Sequence, residues 1–352
     1  MKIALLSILL ISGCATWKQK DFEKDINKPT EEAQPKVETT KAEEKLLEKF
    51  ETKPVAPVAT SKPVTKSPEV KKSASKTPAP KVVAEKAPAK PVVEKAKVKS
   101  LPQDYPPELL TLNEKAKKVW DLYKPNHFVN EKTYLDIHYL GMTVGKIMVL
   151  NKGKEMMNNK EVWHFHARFK SAPFYSNIYE LDDTVDTYVT TDQFLSTKYS
   201  LIQRETKQDV DDLQLHDREQ FKTFWFYHQK KSNGDVKDKK QEKYIPFFSI
   251  DPFSVLYFYQ GLPLKDGDVY EIPIINKTKI LVLKSVVEGR EKLETEKGKK
   301  NAIRVHATTK YTGETLKSGD LYFWFSDDQH RTLLKAQAKI KIGSVTADIV
   351  DK

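Results

Sequence analysis

Cysteine is almost absent. The chain of 352 residues has one, Cys14, which excludes a disulfide framework and any cysteine-rich zinc module. Glycine is scarce too, with 12 residues in all and none between positions 18 and 100. Neither a Gly-rich phosphate loop nor a Gly-x-Ser-x-Gly elbow occurs, so two common signatures of phosphate handling and serine hydrolysis are missing. Nucleophilic catalysis needs an activated Ser or Cys beside a positioned base. Nothing here declares one, so the chain reads as a non-catalytic protein without a cofactor.

Aromatic residues are missing from the first hundred positions. Only Trp17, Phe22 and Phe50 of the 36 Phe, Trp and Tyr precede residue 101. That part cannot build a core of its own, whereas residues 101–352 can. Charge is partitioned in the opposite sense. Residues 18–100 hold 20 Lys, 13 acidic residues and 10 of the 19 Pro, and carry +7 of the net +11. The remainder is close to neutral, which gives no footprint for nucleic acid.

The one long apolar run, Ile3 to Ile11, is too short to span a bilayer and suits the core of a secretory signal over residues 1–13. Ile11-Ser12-Gly13-Cys14 resembles a bacterial lipobox. The resemblance implies cleavage before Cys14, acylation of its thiol and amine (palmitate among the chains), and a protein anchored on a membrane rather than spanning it. Ala15, where Asp commonly retains enterobacterial lipoproteins at the inner membrane, favours the outer membrane facing the periplasm.

From Cys14 to about residue 103 the composition of Lys, Pro, Ala, Val and Glu reads as a disordered tether. Within it, residues 53–100 carry 12 Lys and 3 Glu, a +9 block suited to peptidoglycan, another anionic polymer or lipid headgroups. Lys41 to Phe50 has helical character, with nothing apolar nearby to receive it.

The domain begins at 104. Pro106 and Pro107 open an amphipathic helix in which Leu109, Leu112, Ala116, Val119 and Tyr123 recur at helical spacing, and Pro125 stops it. The period then becomes two. Trp163, Phe165, Ala167 and Phe169 alternate with His164, His166, Arg168 and Lys170, and Ala336, Ala338, Ile340 and Ile342 alternate with Lys335, Gln337, Lys339 and Lys341. Further strands are expected over 184–190, 194–205, 217–230, 269–275, 279–287, 301–311 and 319–326. Asp251-Pro252 caps a short aromatic helix, Phe253 to Gln260, that ends at Gly261 and covers or plugs the sheet. Phe224 to Tyr227 and Tyr322 to Phe325 place aromatics on both faces of their strands, which demands cover on both sides. The expected architecture is mainly β: a curved antiparallel sheet or partial barrel with one leading helix and one covering helix.

Several stretches together resemble the bacterial envelope family catalogued as domain of unknown function 3108. They are Tyr134 to Gly141, Asp251 to Tyr257, Glu288-Gly289-Arg290-Glu291 with Thr295 and Gly298, Trp324 to Asp328, and Ile342 to Val345. The resemblance implies an exported β-rich domain of unassigned biochemistry. Gln260 and Leu333 depart from the family pattern, which often has Arg and Pro there.

Candidate chemistry is sparse. His164 and His166 lie two apart on a strand, a spacing compatible with a shared metal, but they form no full ligand set and are expected to be surface histidines. Asp327-Asp328 and Asp182-Asp183 lack a calcium-loop pattern, and the former pair suits turn amides. The aromatic excess suggests a site for an apolar ligand lined by Trp225, Phe253, Leu256, Tyr257 and Trp324, against the alternative of a filled core. The functional expectation is a membrane-anchored binding module for an apolar ligand or an envelope partner. The alternative is a structural envelope protein that contacts peptidoglycan through its basic tether.

Overall fold

A computed structural model describes residues 30–54, 101–296, 298–311 and 320–350. The signal peptide, Cys14 and residues 55–100 of the expected tether lie outside the described residues. The described residues fall in one compact unit of the chain. It is mainly β, with four helices and fifteen strands among the described residues.

The helices are α1 (Lys41–Lys49), α2 (Pro107–Trp120), α3 (Pro173–Ser176) and α4 (Val255–Gln260). The strands are β1 (Thr52–Pro54), β2 (Lys132–Tyr139), β3 (Met142–Met157), β4 (Lys160–Ser171), β5 (Asp182–Thr190), β6 (Ser196–Glu205), β7 (Gln208–Asp217) and β8 (Lys222–Lys231). They continue with β9 (Val236–Tyr244), β10 (Val269–Asn276), β11 (Lys279–Thr295), β12 (Gly298–Tyr311), β13 (Leu321–Ser326), β14 (Leu333–Lys339) and β15 (Ser344–Ile349). Strands β2 to β15 form an antiparallel meander in the order β10-β11-β12-β13-β14-β15-β2-β3-β4-β5-β6-β7-β8-β9.

The two sequence-terminal strands of the domain join the two halves of the sheet. β15 pairs with β2, Val345 opposite Tyr139 and Ile349 opposite Leu135. The sheet curls, because one apolar cluster joins Phe165 of β4 and Val185 of β5 to Ile272 of β10, Leu283 of β11, Ile303 of β12 and Phe325 of β13 around α4. Both halves of the sheet therefore bury their concave face on the same short helix, as alternation along the strands requires. The edges are managed differently. β9 is Lys-rich and exposed throughout its central residues, a composition that discourages pairing with another chain. β10 is flanked by residue 250, whose amide bonds Pro273 O at 3.1 Å and whose carbonyl accepts from Ile275 N at 2.8 Å.

The strands read from 163–170 and 335–349 match β4, β14 and β15, except that β14 stops at Lys339 and leaves Ile340 and Ile342 in the following turn, and that both faces of β4 are buried; the leading helix runs over Pro107–Trp120 as its Pro start predicts. Two expectations are corrected. The segment 217–230 is a turn followed by β8, with β7 before it. More consequentially, residues 30–54, assigned by composition to the disordered tether, pack against the convex face of the sheet as a strap.

Ala33, Leu46 and Phe50 of the strap are buried with Val162, Tyr188, Ile202, Leu213 and Phe226, outward-facing residues of five strands. Thr40 caps α1 through a capping box with Glu43. Ions pin the strap along its length: Lys36 to Asp211 at 2.8 Å, Lys49 to Asp217 at 2.8 Å, and Glu43 to Lys240 at 2.9 Å. β1 then adds to β3, Thr52 opposite Met157. The apolar surface said to be lacking for Lys41 to Phe50 is assembled from strands distant in sequence.

Removing the Phe50 ring should leave a void under the strap. Phe50→Ala is expected to destabilise the protein by about 3 kcal/mol in urea unfolding and to open residues 30–54 to protease. A loss indistinguishable from zero, with the segment still protected, would contradict the packing.

Candidate functional site

The interior is organised by two buried, oppositely charged side chains on neighbouring turns. Asp251 is fully buried. Its Oδ1 accepts from the amides of Phe253 and Ser254, each at 2.9 Å, the capping geometry that starts the turn leading into α4. Its Oδ2 accepts from the hydroxyls of Thr187, Ser196 and Ser254 at 2.5–2.6 Å. Arg218, also buried, donates to the carbonyls of Ser196, Pro246, Phe247 and Ser249 at 2.7–3.2 Å. Burial brings its pKa down to about 9, still well above neutrality. Ser196 joins the two, its carbonyl to Arg218 and its hydroxyl to Asp251, so both charges are satisfied without direct contact.

The helix they place fills the barrel. Phe165 stacks on Tyr257 with ring centroids 3.6 Å apart, and Tyr123 stacks on Phe258 at 4.9 Å. Gly261 follows because no side chain fits: a Cβ there would stand 2.2 Å from the Tyr123 ring and 2.6 Å from Lys124 O. His127 lies among these rings, within 2.6 Å of Tyr123 Oη and 3.3 Å of Gln260 Oε1. Burial lowers its pKa to about 4, so it is neutral at ordinary pH.

The five aromatic and aliphatic candidates do not form one site. Phe253, Leu256 and Tyr257 belong to the core around α4. Trp225 is on the concave side but apart from them, donating to Asp212 Oδ1 at 3.0 Å and lying under the Lys239 and Lys277 ammonium groups. Trp324 faces outward, packed with Ala302, Tyr322 and Leu334 and donating to Glu291. Alternation along β8 and β13 sends the neighbours of each Trp to the opposite face, which supplies the two-sided cover expected of both aromatic runs.

One cavity borders these residues and a second lies apart from them. The first, of about 30 Å³, is lined by Phe128, Glu131, Asn151, Leu256, Tyr257, Gln260 and Phe325 among others. It has room for one or two waters, and its lining includes only Leu256 and Tyr257 of the five candidates. A second, of about 240 Å³, is a groove between the β11–β12 hairpin and the outer face of β2 and β15. Its lining includes Asp136, His138, Leu293, Glu294, Glu296 and Asp348.

The histidine pair is not at the surface. His164 and His166 are each 4% exposed, because the strap covers the face on which they stand. His164 Nε2 and His166 Nδ1 lie 2.6 and 2.9 Å from the same oxygen of Asp186, and His164 Nδ1 lies 2.6 Å from Glu155. Lys152 approaches Asp186 at 3.0 Å. Burial lowers the His164 pKa, but the bonds to Asp186 and Glu155 outweigh it and the net shift is upward. Burial raises that of Asp186, and the two histidines reverse it to well below the usual carboxylate range. The strap joins this network: Glu32 accepts from Tyr188 and Lys198, and Ala33 N donates to Ser200 Oγ at 2.7 Å. Among the described residues no group of three or more His, Cys, Asp or Glu side chains is arranged to hold a metal ion.

Of the acidic pairs, Asp328 accepts from Ser326 Oγ and from the amides of His330 and Arg331, the turn role expected of it. Asp182 binds Arg168 at 2.7 Å. Asp183 is buried beside Gln203, and burial pushes its pKa up to about 7. Asp186, Glu155, Glu32 and Asp212 were not singled out by sequence. The signal available was the alternation of Asp186 with Val185 and Thr187 on the strand next to the histidines.

A family model described as a protein of unknown function, DUF3108, matches residues 135–350. No curated protein sequence matches the chain. Among solved structures, a β-barrel-like protein of DUF1849 from Brucella abortus is similar at 11% identity with a TM-score of 0.41, over 64% of this chain and 97% of that one. A Bacteroides fragilis protein described as exported, with a YmcC-like fold, is similar at 8% identity and a TM-score of 0.30, over 65% and 97%. A Parabacteroides distasonis protein described as a lipoprotein is similar at 9% identity and a TM-score of 0.29, over 63% and 95%.

The histidine network sets a pH dependence. His164 has a raised pKa in the folded state, so its contribution is complete below the unfolded value of about 6.5 and is lost as pH rises through the folded one. The stability difference between wild type and His164→Gln is therefore expected to be constant below about pH 6.5 and to shrink above it. A difference that grows with rising pH would contradict the assignment. By NMR the ring of His127 should titrate near 4.

Proposed function

The chain belongs to the DUF3108 family of proteins of unknown function, and on that premise we propose that it is a lipid-anchored envelope protein whose β domain is a non-catalytic docking module for an envelope partner. The lipobox-like stretch ending at Cys14 and the Ala that follows it support an acyl anchor on the outer membrane, facing the periplasm. With residues 30–54 packed on the domain, reach from that membrane falls to residues 15–29, between Cys14 and the strap.

The observation that carries the choice of partner is the filled interior. Pockets for small molecules commonly measure about 300–1,000 Å³, whereas the cavity beside Leu256 and Tyr257 is about 30 Å³. Phe253 and Tyr257 are spent on packing α4 against the sheet. This favours recognition on the outside of the barrel over enclosure of an apolar ligand. The non-catalytic reading is supported by the titratable cluster nearest to an active site in composition, His164, His166 and Asp186, whose members engage one another beneath the strap. The charge of 53–100 favours a second reading, in which that segment contacts peptidoglycan and the protein is structural. Deleting 53–100 would then abolish salt-sensitive pelleting with cell wall.

Mass spectrometry of the protein purified from membranes should give a mature N-terminus at Cys14 with acyl chains attached, and solvent extraction should release no further stoichiometric lipid. An unmodified soluble chain would overturn the anchor, and a stoichiometric extracted lipid would overturn the choice of partner.

A further inference from the structure

A meander places alternate turns at alternate ends of the sheet, and here the two ends differ in chemistry. At one end lie the β2–β3 turn, the β14–β15 turn, the β4–β5 connection with α3, and the β6–β7 and β8–β9 turns, whereas the β10–β11 turn folds onto the concave face, Lys277 N donating to Gln214 Oε1 at 2.6 Å. This end carries Lys207, Lys230, Lys231, Lys339 and Lys341 against Glu180, Asp209 and Asp235, all exposed. The opposite end carries exposed Asp192, Glu219, Glu294, Glu296, Asp327 and Asp328 against Lys160 and Lys299. Within the basic end stand apolar side chains with little cover: Ile342 is 64% exposed, Leu140 49% and Ile178 46%.

These three are held rather than dangling. Leu140 and Gly343 both adopt positive φ in their turns, and Leu140 Cδ2 lies 3.5 Å from where a Cβ on Gly343 would stand. Tyr139 Oη donates to Ile342 O at 3.2 Å. α3 is brought to the same place by Tyr175, whose hydroxyl meets Met142 Sδ at 3.2 Å and whose carbonyl accepts from Ile178 N at 2.9 Å. Beneath them Tyr139, Val144, Tyr175 and Val345 form a compact apolar cluster, so the tips project from a rigid base.

We infer that this end of the domain rests on an anionic lipid surface, with Leu140, Ile342 and Ile178 entering the headgroup layer and the surrounding lysines facing phosphates. Charge complementarity selects the occupant. Apolar tips ringed by lysine match a layer that is apolar within and negative at its surface, and the acidic far end turns the domain the same way in that field. The inference rests on the anchored reading above, since the anchor keeps the domain near a membrane, but it concerns a different surface.

The test uses the mature chain, residues 14–352 carrying Cys14→Ser, which has neither the apolar signal nor an acyl chain to hold it. It is measured by flotation on vesicles of phosphatidylcholine with about one quarter phosphatidylglycerol. Binding that weakens with added salt is expected. The further double change Leu140→Asp and Ile342→Asp should lower the partition coefficient roughly tenfold, and Lys341→Gln alone should lower it about fivefold. The basic 53–100 segment is common to all these proteins and cancels in the comparison. Equal binding by the parent and the double variant, both folded by circular dichroism, would overturn the inference. So would a double variant whose only change is to dissolve a dimer of the chain. Failure of the anchor would instead show as missing acyl mass on unmodified Cys14, leaving the vesicle result to stand by itself.

Discussion

Burying an Asp and an Arg inside one apolar barrel is costly unless each is fully hydrogen-bonded, and the domain depends on how Asp251 and Arg218 meet that condition. Five donors surround the Asp251 carboxylate and four backbone carbonyls surround the Arg218 guanidinium, with Ser196 shared between them. The geometry fixes the path of residues 245–254 and thereby sets α4 in the curl of the sheet. Once the helix is there, Tyr257, Phe258 and Tyr259 give both halves of the meander something to bury against. Without it, the inward residues of β10–β13 and of β4 and β5 would lose the helix against which both are buried.

The convex face poses the complementary problem, and the chain solves it with a segment that precedes the domain in sequence. Tyr188, Leu213 and Phe226 need cover, and Asp186 needs shelter from competing water if it is to hold two histidines. Residues 30–54 provide both. Because β1 ends at Pro54 paired with Glu155 and the domain resumes at residue 101, residues 55–100 leave and rejoin the domain, and the link from Cys14 to the strap is residues 15–29. The free leash is thus shorter than composition alone implies.

How much of this the sequence discloses varies with locality. Strands with one apolar and one polar face, such as Trp163 to Lys170 and Lys335 to Ile349, are legible because the signal lies within a few residues. So is the Asp251-Pro252 start of the plug, where a cap and its helix adjoin. β9 escapes because an edge strand with Lys237, Lys239, Lys240 and Lys243 has no buried face to mark its period. The strap escapes because its apolar residues are few and their receiving surface is built from alternate residues of strands more than a hundred positions away. The same cause misplaces His164 and His166, which look wet until their distant cover is known. Trp225 and Trp324 share a residue type and a run of aromatic neighbours, but strand pairing puts one inside and one outside.

A sealed interior, an outer face partly closed by the strap, an acidic end and a basic, apolar end describe a body that works through its exterior. The claim at the centre is that α4 is a permanent plug and not a lid over a container. Hydrogen exchange of the Tyr257, Phe258 and Gly261 amides tests it most directly, since these bond within the plug. The account predicts protection as deep as that of Phe165 and Ala167 in β4, lost only with global unfolding. Rapid exchange at α4 while β4 stays protected would show that the helix leaves its seat and would contradict the account.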